Sequence, residues 1–344
     1  MKRMCCPQCF SDSGLENHIL SESLEGYGNC SYCGSMSVPL IQPASLSGYF
    51  EFLINIYEID HTGQSLVECL KQDWMLFQHS KMDNAHVKEL LSDILDNGEI
   101  VRKSFSPSKK YESHALAEWD TLRDELLHKN RYFLEGNIDQ ARLKKLLGYL
   151  VISNLQPTWH RARINQTREG YALSEMGAPP NMLASHGRAN PTGIPYLYLG
   201  SSSEAAISEI RPHTGETATV AEFLIKEKIK LVDLRSPRKS ISPFLLPTED
   251  DIGRVRADIP FLERLGEELT RPVLPRSAAI DYIPSQYLCE FIKKSGFDGV
   301  VYRSSVSDGI NLALFNPDNA HAICVSQFSV HRVSVSVASL GPVE

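Results

Sequence analysis

Residues 187–213 have the sequence GRANPTGIPYLYLGSSSEAAISEIRPH, in which signals for a turn, a strand and a helix follow one another. The NPTG run at 190–193 is typical of a turn. The apolar residues after it predict a short strand ending near Tyr198, and three consecutive serines can cap the next helix. Glu209 and His213 are four residues apart and would share one face of that helix. The proline before His213 favours a helix end that leaves this histidine in a loop.

Mixed strands and helices extend outward from this segment, from about residue 158 to the end of the chain. The predicted strands are Trp159–Ile164, Pro195–Leu199, Thr219–Ile225, Ile229–Leu234, Gly299–Tyr302, Ile310–Phe315 and Ile323–Val337, and the predicted helices are Ser203–Arg211, Thr248–Leu269 and Ser285–Ser295. The strands cluster without regular βαβ alternation, which disfavours a doubly wound sheet. No GxGxxG motif opens a helix and no Gly-Lys-Ser/Thr loop is present. We predict an α+β domain over residues 153–344.

The preceding residues, 43–152, have helical spacing. A capping box begins at Ser65, and three further helices are predicted over about 84–97, 113–132 and 138–150. Their predicted inward residues are Val67, Leu70, Trp74 and Phe77 in the first helix, Val87, Leu90, Leu91, Ile94 and Leu95 in the second, and Leu116, Trp119, Leu122 and Leu126 in the third. Four amphipathic helices without strand signals predict a helical bundle.

Five of the 8 cysteines fall within the first 33 residues. Cys6 and Cys9 form one CxxC pair, and Cys30 and Cys33 form a second about twenty residues later. Two such pairs are typical of a zinc ribbon with a closed, structural Cys₄ site. Cys5 could replace Cys6 as a ligand, and the glycine after the second pair suits a positive φ. We predict a zinc ribbon over residues 1–42 with zinc as a structural cofactor.

Composition limits the classes of function. The 344 residues carry a net charge of −7, with 42% hydrophobic and 22% charged residues, as in an ordinary soluble protein. The acidic balance argues against general nucleic-acid binding. No apolar run reaches the roughly 18 residues of a membrane span, and the first residues lack the apolar core of a secretory signal. We therefore expect a cytoplasmic location without membrane attachment, where paired cysteines more often bind metal than form disulfides.

The third predicted helix contains Arg123 and His128, five residues apart. This spacing resembles the Arg and His pattern of HEPN domains, some of which are metal-independent ribonucleases. In such a site the arginine would hold phosphate and the histidine would act as acid or base. An exposed helical face is the alternative interpretation of the same residues.

The segment around Tyr198 resembles the RES family, named for an Arg, a Glu and a Ser. Arg188, Tyr198 and Glu209 reproduce the family intervals of ten and eleven residues, and His213 matches a frequent later histidine. Near the C-terminus, GFDGVVYRSS at 296–305 followed by NLALF looks like the segment with the family serine. Ser304 fits its position and Ser305 competes with it. The strand at Trp159–Ile164 looks like the family's opening strand, in which Arg161 or Arg163 would reach the site. The paired glycine and tryptophan often seen around the first family arginine are absent here.

The resemblance implies an ADP-ribosyltransferase-like fold with a split, curved sheet, and a reaction on NAD+. Many members resemble toxins that consume NAD+, and some transfer ADP-ribose to protein. Glu209 would stabilise the oxocarbenium-like ribose or orient its nucleophile. Arg188 would pair with the pyrophosphate, Tyr198 would contact the nicotinamide or a ribose hydroxyl, and Ser304 would fix the ribose or carboxamide. His213 would bind a phosphate or the adenine-side ribose.

These inferences together predict a three-part chain with a zinc ribbon, a HEPN-like helical domain and an NAD+-degrading RES domain. This architecture resembles a self-contained toxin or a defence effector. Because NAD+ cleavage would be lethal, we expect a restraint, either an inhibitory antitoxin or immunity protein or the chain's own N-terminal half. The sequence leaves open a homo-oligomer, and it leaves open whether water, phosphate or a protein accepts the ADP-ribose. A ribonuclease and a partner-binding module are the competing functions.

Overall fold

The computed structural model describes residues 2–23, 26–136, 138–152, 155–334, 337–339 and 341. Within them the helices are α1 (Ser13–Glu22), α2 (Ser47–Ile54), α3 (Leu66–Trp74), α4 (Asn84–Leu95), α5 (Ala115–His128), α6 (Gln140–Gly148), α7 (Ser203–Glu209), α8 (Pro237–Ser240), α9 (Glu249–Thr270), α10 (Ala278–Asp281) and α11 (Ile283–Lys294). The strands are β1 (Tyr27–Gly28), β2 (Val38–Pro39), β3 (Tyr57–Ser65), β4 (Ser104–Pro107), β5 (Val151–Ile152), β6 (Thr158–Ile164), β7 (Leu197–Gly200), β8 (Thr217–Ile225), β9 (Leu231–Asp233), β10 (Gly299–Arg303), β11 (Ile310–Leu314) and β12 (Ala320–Ser329).

Contacts divide the chain into two compact units. The first contains residues 1–120 and 236–263, and the second contains residues 121–235 and 264–344. The domain boundaries at residues 42 and 152 rest on patterns in the sequence and not on contacts, and they stay a prediction.

The four helices predicted before residue 152 are present as α3 to α6. Ser65 and Glu68 form the expected reciprocal capping box of α3, and most of the predicted inward residues are buried. Two details differ. Phe77 is buried but lies beyond α3, which ends where Met75 takes a left-handed conformation. Leu116 was expected to be buried and is 37% exposed, because it lies in the first turn of α5.

The same region also contains an antiparallel strand pair, β3 and β4, which the helical pattern did not predict. Most of β3 is exposed, so it has little of the apolar alternation that marks a strand. Its register shifts between Ile59 and Gln64, which both pair with Phe105. A side chain at Gly63 would collide with the carbonyl oxygen of Phe105, so this irregularity requires glycine.

The second unit is built on one mixed sheet of eight strands in the order β12-β8-β6-β7-β11-β10-β9-β5. Neighbouring strands are antiparallel except β9 and β10, which are parallel. This topology confirms the predicted α+β class. The core contains apolar residues from the central strands: Trp159, Leu197, Leu199, Phe223, Val301, Leu312 and Leu314. The last strand was expected to reach Val337 but ends at Ser329, and residues 335–336 lie outside the described residues.

The sheet is almost split between β6 and β7. These neighbours pair only through His160 and Gly200, whereas β6 pairs with β8 along its whole length. The strands therefore diverge beyond that pair, as the predicted split sheet requires. Among the described helices, none is both long enough and apolar enough to cross a lipid bilayer.

Candidate functional site

A cleft of about 490 Å³ lies in the second unit where β6 and β7 separate. Three guanidinium groups line it, from Arg161, Arg188 and Arg211, against a single carboxylate, Glu209. The other polar lining groups are His160, His186, Tyr198, Tyr282, Tyr302, Ser305 and Asn311. The net charge of the chain is −7, yet the lining of the cleft is basic. A basic cleft in an acidic protein selects an anionic ligand locally.

Glu209 is the last residue of α7, which the hydroxyl of Ser202 caps by accepting from Ala205. A side chain at Gly200 would lie 2.7 Å from the backbone nitrogen of Ala206, so glycine lets the helix start close against β7. The Oε1 atom of Glu209 accepts hydrogen bonds from Ser304 Oγ at 2.6 Å and from Asn311 Nδ2 at 2.7 Å. Its Oε2 has no hydrogen-bond partner among the described residues. One carboxylate oxygen is therefore fixed and the other is available to a ligand.

The two adjacent serines have different environments. Ser304 is buried, and its Oγ accepts from the backbone nitrogens of Val306 and Ser307 at 3.1 Å while donating to Glu209. Ser305 lines the cleft, 3.4 Å from the Nη2 of Arg188. Ser304 thus orients Glu209, whereas the hydroxyl at the cleft surface belongs to Ser305.

Arg188 also lines the cleft. Its Nη1 donates to the carbonyl oxygen of Arg271 at 2.8 Å, and its guanidinium lies 5.0 Å from the ring centroid of Tyr282. Ser285 donates to the carbonyl oxygen of Arg188 at 2.6 Å. Arg188 has no carboxylate partner in the described part of the chain, so its charge is not neutralised by the protein.

Tyr198 holds the loop that carries Arg188. Its hydroxyl accepts from the backbone nitrogens of Ala189 at 2.9 Å and Asn190 at 3.2 Å, and donates to Asn190 Oδ1 at 2.7 Å. Burial raises the pKa of Tyr198 above its ordinary value. A side chain at Gly187 would collide with the Asn190 side chain, so the loop also requires glycine there. The ring of Tyr198 lines the cleft, while its hydroxyl is occupied within the protein.

Tyr198→Phe is expected to destabilise this loop, because it leaves two buried N–H groups without their acceptor. Each unsatisfied group costs about 1–3 kcal/mol, so the two together lower the melting temperature by roughly 4–24 °C at about 2–4 °C per kcal/mol. Calorimetry measures this shift. Tyr171→Phe is the matched control, since the Tyr171 hydroxyl has no hydrogen-bond partner among the described residues. Equal melting temperatures for the two variants would contradict the role given to Tyr198.

Arg161 is the arginine of β6 that reaches the cleft. Its Nη1 donates weakly to the carbonyl oxygen of Tyr198 at 3.4 Å, and its buried Nε has no hydrogen-bond partner in the part of the chain that the structure describes. Burial, and then the nearby charge of Arg163, lower the pKa of Arg161 to about 10. Arg163 instead lies over the ring of Tyr171 at 5.2 Å and is not part of the cleft lining. An anion in the cleft would relieve the unsatisfied charge of Arg161.

His213 lies apart from the other predicted site residues. The helix ends at Glu209, and Arg211 takes a left-handed φ of 49° before the proline. Glu209 and His213 therefore do not share a helical face, and the alternative of a loop position is the one observed. His213 is exposed, its backbone nitrogen bonds to Glu216 Oε2, and it is not among the residues lining the cleft.

Several lining residues were not singled out from the sequence. Asn311 is a buried amide in the otherwise apolar strand β11, which was the available signal for it. Within the described residues, the buried Nδ1 of His160 has no hydrogen-bond partner. Tyr282 lies between α10 and α11. His186 and Arg211 flank the motif residues directly in sequence.

The N-terminal module brings four cysteines together. The sulfurs of Cys6, Cys9, Cys30 and Cys33 are buried and lie within 4.8 Å of one another. Around a tetrahedral zinc with Zn–S distances of about 2.3 Å, neighbouring sulfurs lie roughly 3.8 Å apart, so the donor set fits this ion. The glycine after Cys33 has the expected positive φ, at 69°.

Cys5 has a different environment. Its Sγ lies 3.5 Å from the carbonyl oxygen of Ile41, and its backbone pairs with the same residue. Burial raises the pKa of Cys5 above its ordinary value, which favours a protonated, hydrogen-bonded thiol. The cluster is thus formed with Cys6 and without Cys5.

The two residues of the HEPN-like pattern lie on α5. The Nε of Arg123 donates to the buried carboxylate of Glu268 at 2.8 Å. His128 is exposed at the end of the helix. The ribonuclease interpretation of these residues stays a prediction.

A comparison with known protein families gives a match over the C-terminal half of the chain. The model of the RES domain matches residues 158–333, which is 176 of the 344 residues and just over half of the chain. The chain belongs to the RES domain family. No curated protein matches it. Among solved structures, a chain of the M. tuberculosis MbcT–MbcA toxin–antitoxin complex is similar over 54% of this chain and 92% of that chain, with 13% sequence identity and a TM-score of 0.33.

Proposed function

We propose that this protein is an NAD+-degrading enzyme that cleaves the bond between nicotinamide and ribose. One observation carries the proposal: the carboxylate of Glu209 is anchored through Oε1 alone, in a cleft whose lining also includes three arginines and no second carboxylate among the described residues. A dinucleotide requires this combination, because its pyrophosphate is anionic while its reacting ribose becomes cationic. Membership of the RES family supports the same substrate.

The chemistry needs few groups. As the C1′–N bond breaks, the electron pair leaves with nicotinamide, which becomes neutral, and positive charge develops on the ribose. The free oxygen of Glu209 would stabilise that charge and orient the incoming nucleophile. Ser304 and Asn311 hold the carboxylate in place, so it needs no reorganisation during the reaction.

The basic groups would bind the other half of the substrate. Arg188 has two donors near the cleft, and Arg161 has an unsatisfied Nε, so both suit phosphate oxygens. The ring of Tyr198 would contact the nicotinamide side, since its hydroxyl is already bonded within the loop. Ser305 is placed to contact the ligand, with Ser304 acting through Glu209.

Three acceptors of the ADP-ribose group are compatible with this cleft. Water gives free ADP-ribose, phosphate gives a phosphorylated product, and a protein side chain gives a modified target. Mass analysis of the products in buffers with and without phosphate distinguishes them. We also propose a restraint on the activity by an inhibitory antitoxin or immunity protein, and a structural zinc on Cys6, Cys9, Cys30 and Cys33.

The proposal is tested by incubating the purified full chain with NAD+ and, separately, with total RNA. We expect loss of NAD+ while RNA stays intact, and we expect His128→Ala to retain the NAD+ activity. Cleavage of RNA that depends on Arg123 and His128, with NAD+ unchanged, would instead identify the ribonuclease. If both substrates survive, the partner-binding alternative is favoured.

A further inference from the structure

The second unit contains a fully buried carboxylate outside the cleft. The side chain of Glu268 has no exposed surface, and three arginines surround it. Oε1 lies 2.8 Å from Arg123 Nε and 3.1 Å from Arg264 Nη1. Oε2 and Arg271 Nε lie 3.4 Å apart as an ion pair, and neither atom has a hydrogen-bond partner among the described residues. A buried carboxylate persists as a charge only when it is paired in this way. Glu268 thus fixes the position of the guanidinium groups around it.

One of these arginines connects the cluster to the cleft. The Nη2 of Arg271 donates to the carbonyl oxygen of Asp281 at 2.6 Å. The carbonyl oxygen of Arg271 itself accepts from Arg188 Nη1 at 2.8 Å. Arg271 therefore forms an ion pair with Glu268, donates a hydrogen bond to the far end of its own loop, and accepts one from the cleft arginine.

The loop that Arg271 closes forms one wall of the cleft. Residues 271–282 contribute Val273, Pro275, Ala278 and Tyr282 to the lining. The guanidinium of Arg188 also lies over the ring of Tyr282. Two of the contacts that orient Arg188 thus come from the segment whose ends Arg271 holds together. Any shift of this segment would move Arg188 relative to Glu209.

We propose that Glu268 is a positioning residue for the cleft, which acts through Arg271 on Arg188 and is anchored on its other side by Arg123. The ligand concerned is the pyrophosphate of a dinucleotide, so this inference rests on the proposed function. It gives Arg123 a role in the NAD+ site rather than in ribonuclease chemistry. Glu268 and Arg271 touch no substrate, and their effect appears in binding.

Arg271→Gln is the informative change, because it removes the connection while keeping the buried carboxylate that Arg123 and Arg264 also contact. We expect the KM and Kd for NAD+ to rise about tenfold, the effect of losing one charge-assisted interaction, with kcat within about twofold of the original. A general loss of folded protein would lower kcat and leave KM unchanged. Arg276→Gln is the matched control, an exposed arginine of the same segment that does not line the cleft.

A double variant tests whether the effect passes through Arg188. If it does, the double variant Arg188→Lys with Arg271→Gln has a KM for NAD+ no higher than that of Arg188→Lys alone, because the two single effects are not additive. A KM in the double variant that is raised by the product of the two single effects would overturn the proposal. Should Arg271→Gln fail to fold, Arg123→Gln replaces it as the test. We expect Arg123→Gln to raise KM about threefold and Arg123→Lys to restore it. An unchanged KM in Arg123→Gln would also overturn the proposal.

Amide hydrogen exchange separates this inference from the proposed function. We expect exchange over residues 271–282 to rise about tenfold in Arg271→Gln and to stay unchanged in Arg276→Gln, whether or not the protein cleaves NAD+. Wild-type protein that neither binds nor cleaves NAD+ would refute the function, and with it the ligand assigned to Arg188. Unchanged exchange in Arg271→Gln would refute the positioning role, even if NAD+ is cleaved.

Discussion

Glu209→Gln is expected to lower kcat for NAD+ cleavage by about 10²–10³-fold, the usual effect of removing one electrostatic stabiliser of a transition state. The amide keeps the size of the side chain, and Gln can still accept from Ser304 and Asn311 through its oxygen. Only the negative charge opposite the developing ribose cation is lost. We therefore expect KM to change by less than about threefold, because the pyrophosphate contacts remain. Release of nicotinamide at several NAD+ concentrations measures both parameters.

Glu204→Gln is the matched control for this change. Glu204 lies in the first turn of the same helix, is exposed, and does not line the cleft. It should keep wild-type kcat and KM. A Glu209→Gln enzyme that retains more than a tenth of the wild-type kcat would contradict the role of this carboxylate.

Cys30→Ser is expected to have the largest effect on stability. It removes one of the four sulfurs from the buried cluster, so zinc content should fall from one ion per chain towards zero. Structural zinc contributes roughly 10–16 kcal/mol in small zinc-dependent modules. Losing even about 3 kcal/mol would lower the melting temperature by roughly 6–12 °C, at about 2–4 °C per kcal/mol. Elemental analysis of the purified protein and calorimetry measure the two effects.

Cys5→Ser is the control, since serine can keep the hydrogen bond from position 5 to the Ile41 carbonyl oxygen. We expect this variant to retain its zinc. Loss of zinc in Cys5→Ser, together with retention in Cys6→Ser, would contradict the ligand set. Absence of zinc from wild-type protein purified without chelator would refute the zinc assignment as a whole.

Local signals in the sequence were enough to predict much of the RES domain. Arg188, Tyr198 and Glu209 belong to one continuous loop, strand and helix, so their spacing already indicated that they lie near one another. The structure places all three around one cleft. The absence of βαβ alternation in the strands disfavoured a doubly wound sheet, and the family resemblance implied the split, curved one.

Cleft residues that come from distant parts of the chain were harder to predict. Asn311 reaches Glu209 because β11 pairs with β7, and Tyr282 reaches Arg188 across the loop after α9. Such pairings depend on the whole sheet and leave no periodic pattern in the sequence. Helical spacing from Glu209 placed His213 on the same face, whereas the proline before it favoured a loop. The loop position is the observed one, because α7 ends at Glu209.

The strand pair β3 and β4 shows the limit of apolar patterns. Its exposed residues have no strong alternation, and its irregular register depends on the glycine at position 63. Capping residues, in contrast, predicted the helix α3 well, because a capping box is a local interaction between two residues of one turn.

The central claim is that the cleft around Glu209 breaks the nicotinamide–ribose bond of NAD+. Nuclear magnetic resonance of NAD+ during incubation with the full chain tests it directly, because free nicotinamide and the intact dinucleotide give separate signals. We predict that nicotinamide appears at the rate at which NAD+ disappears, and that both changes are about 10²–10³-fold slower with Glu209→Gln. Appearance of AMP and nicotinamide mononucleotide, or NAD+ that stays intact with correctly folded wild-type protein, would contradict the account.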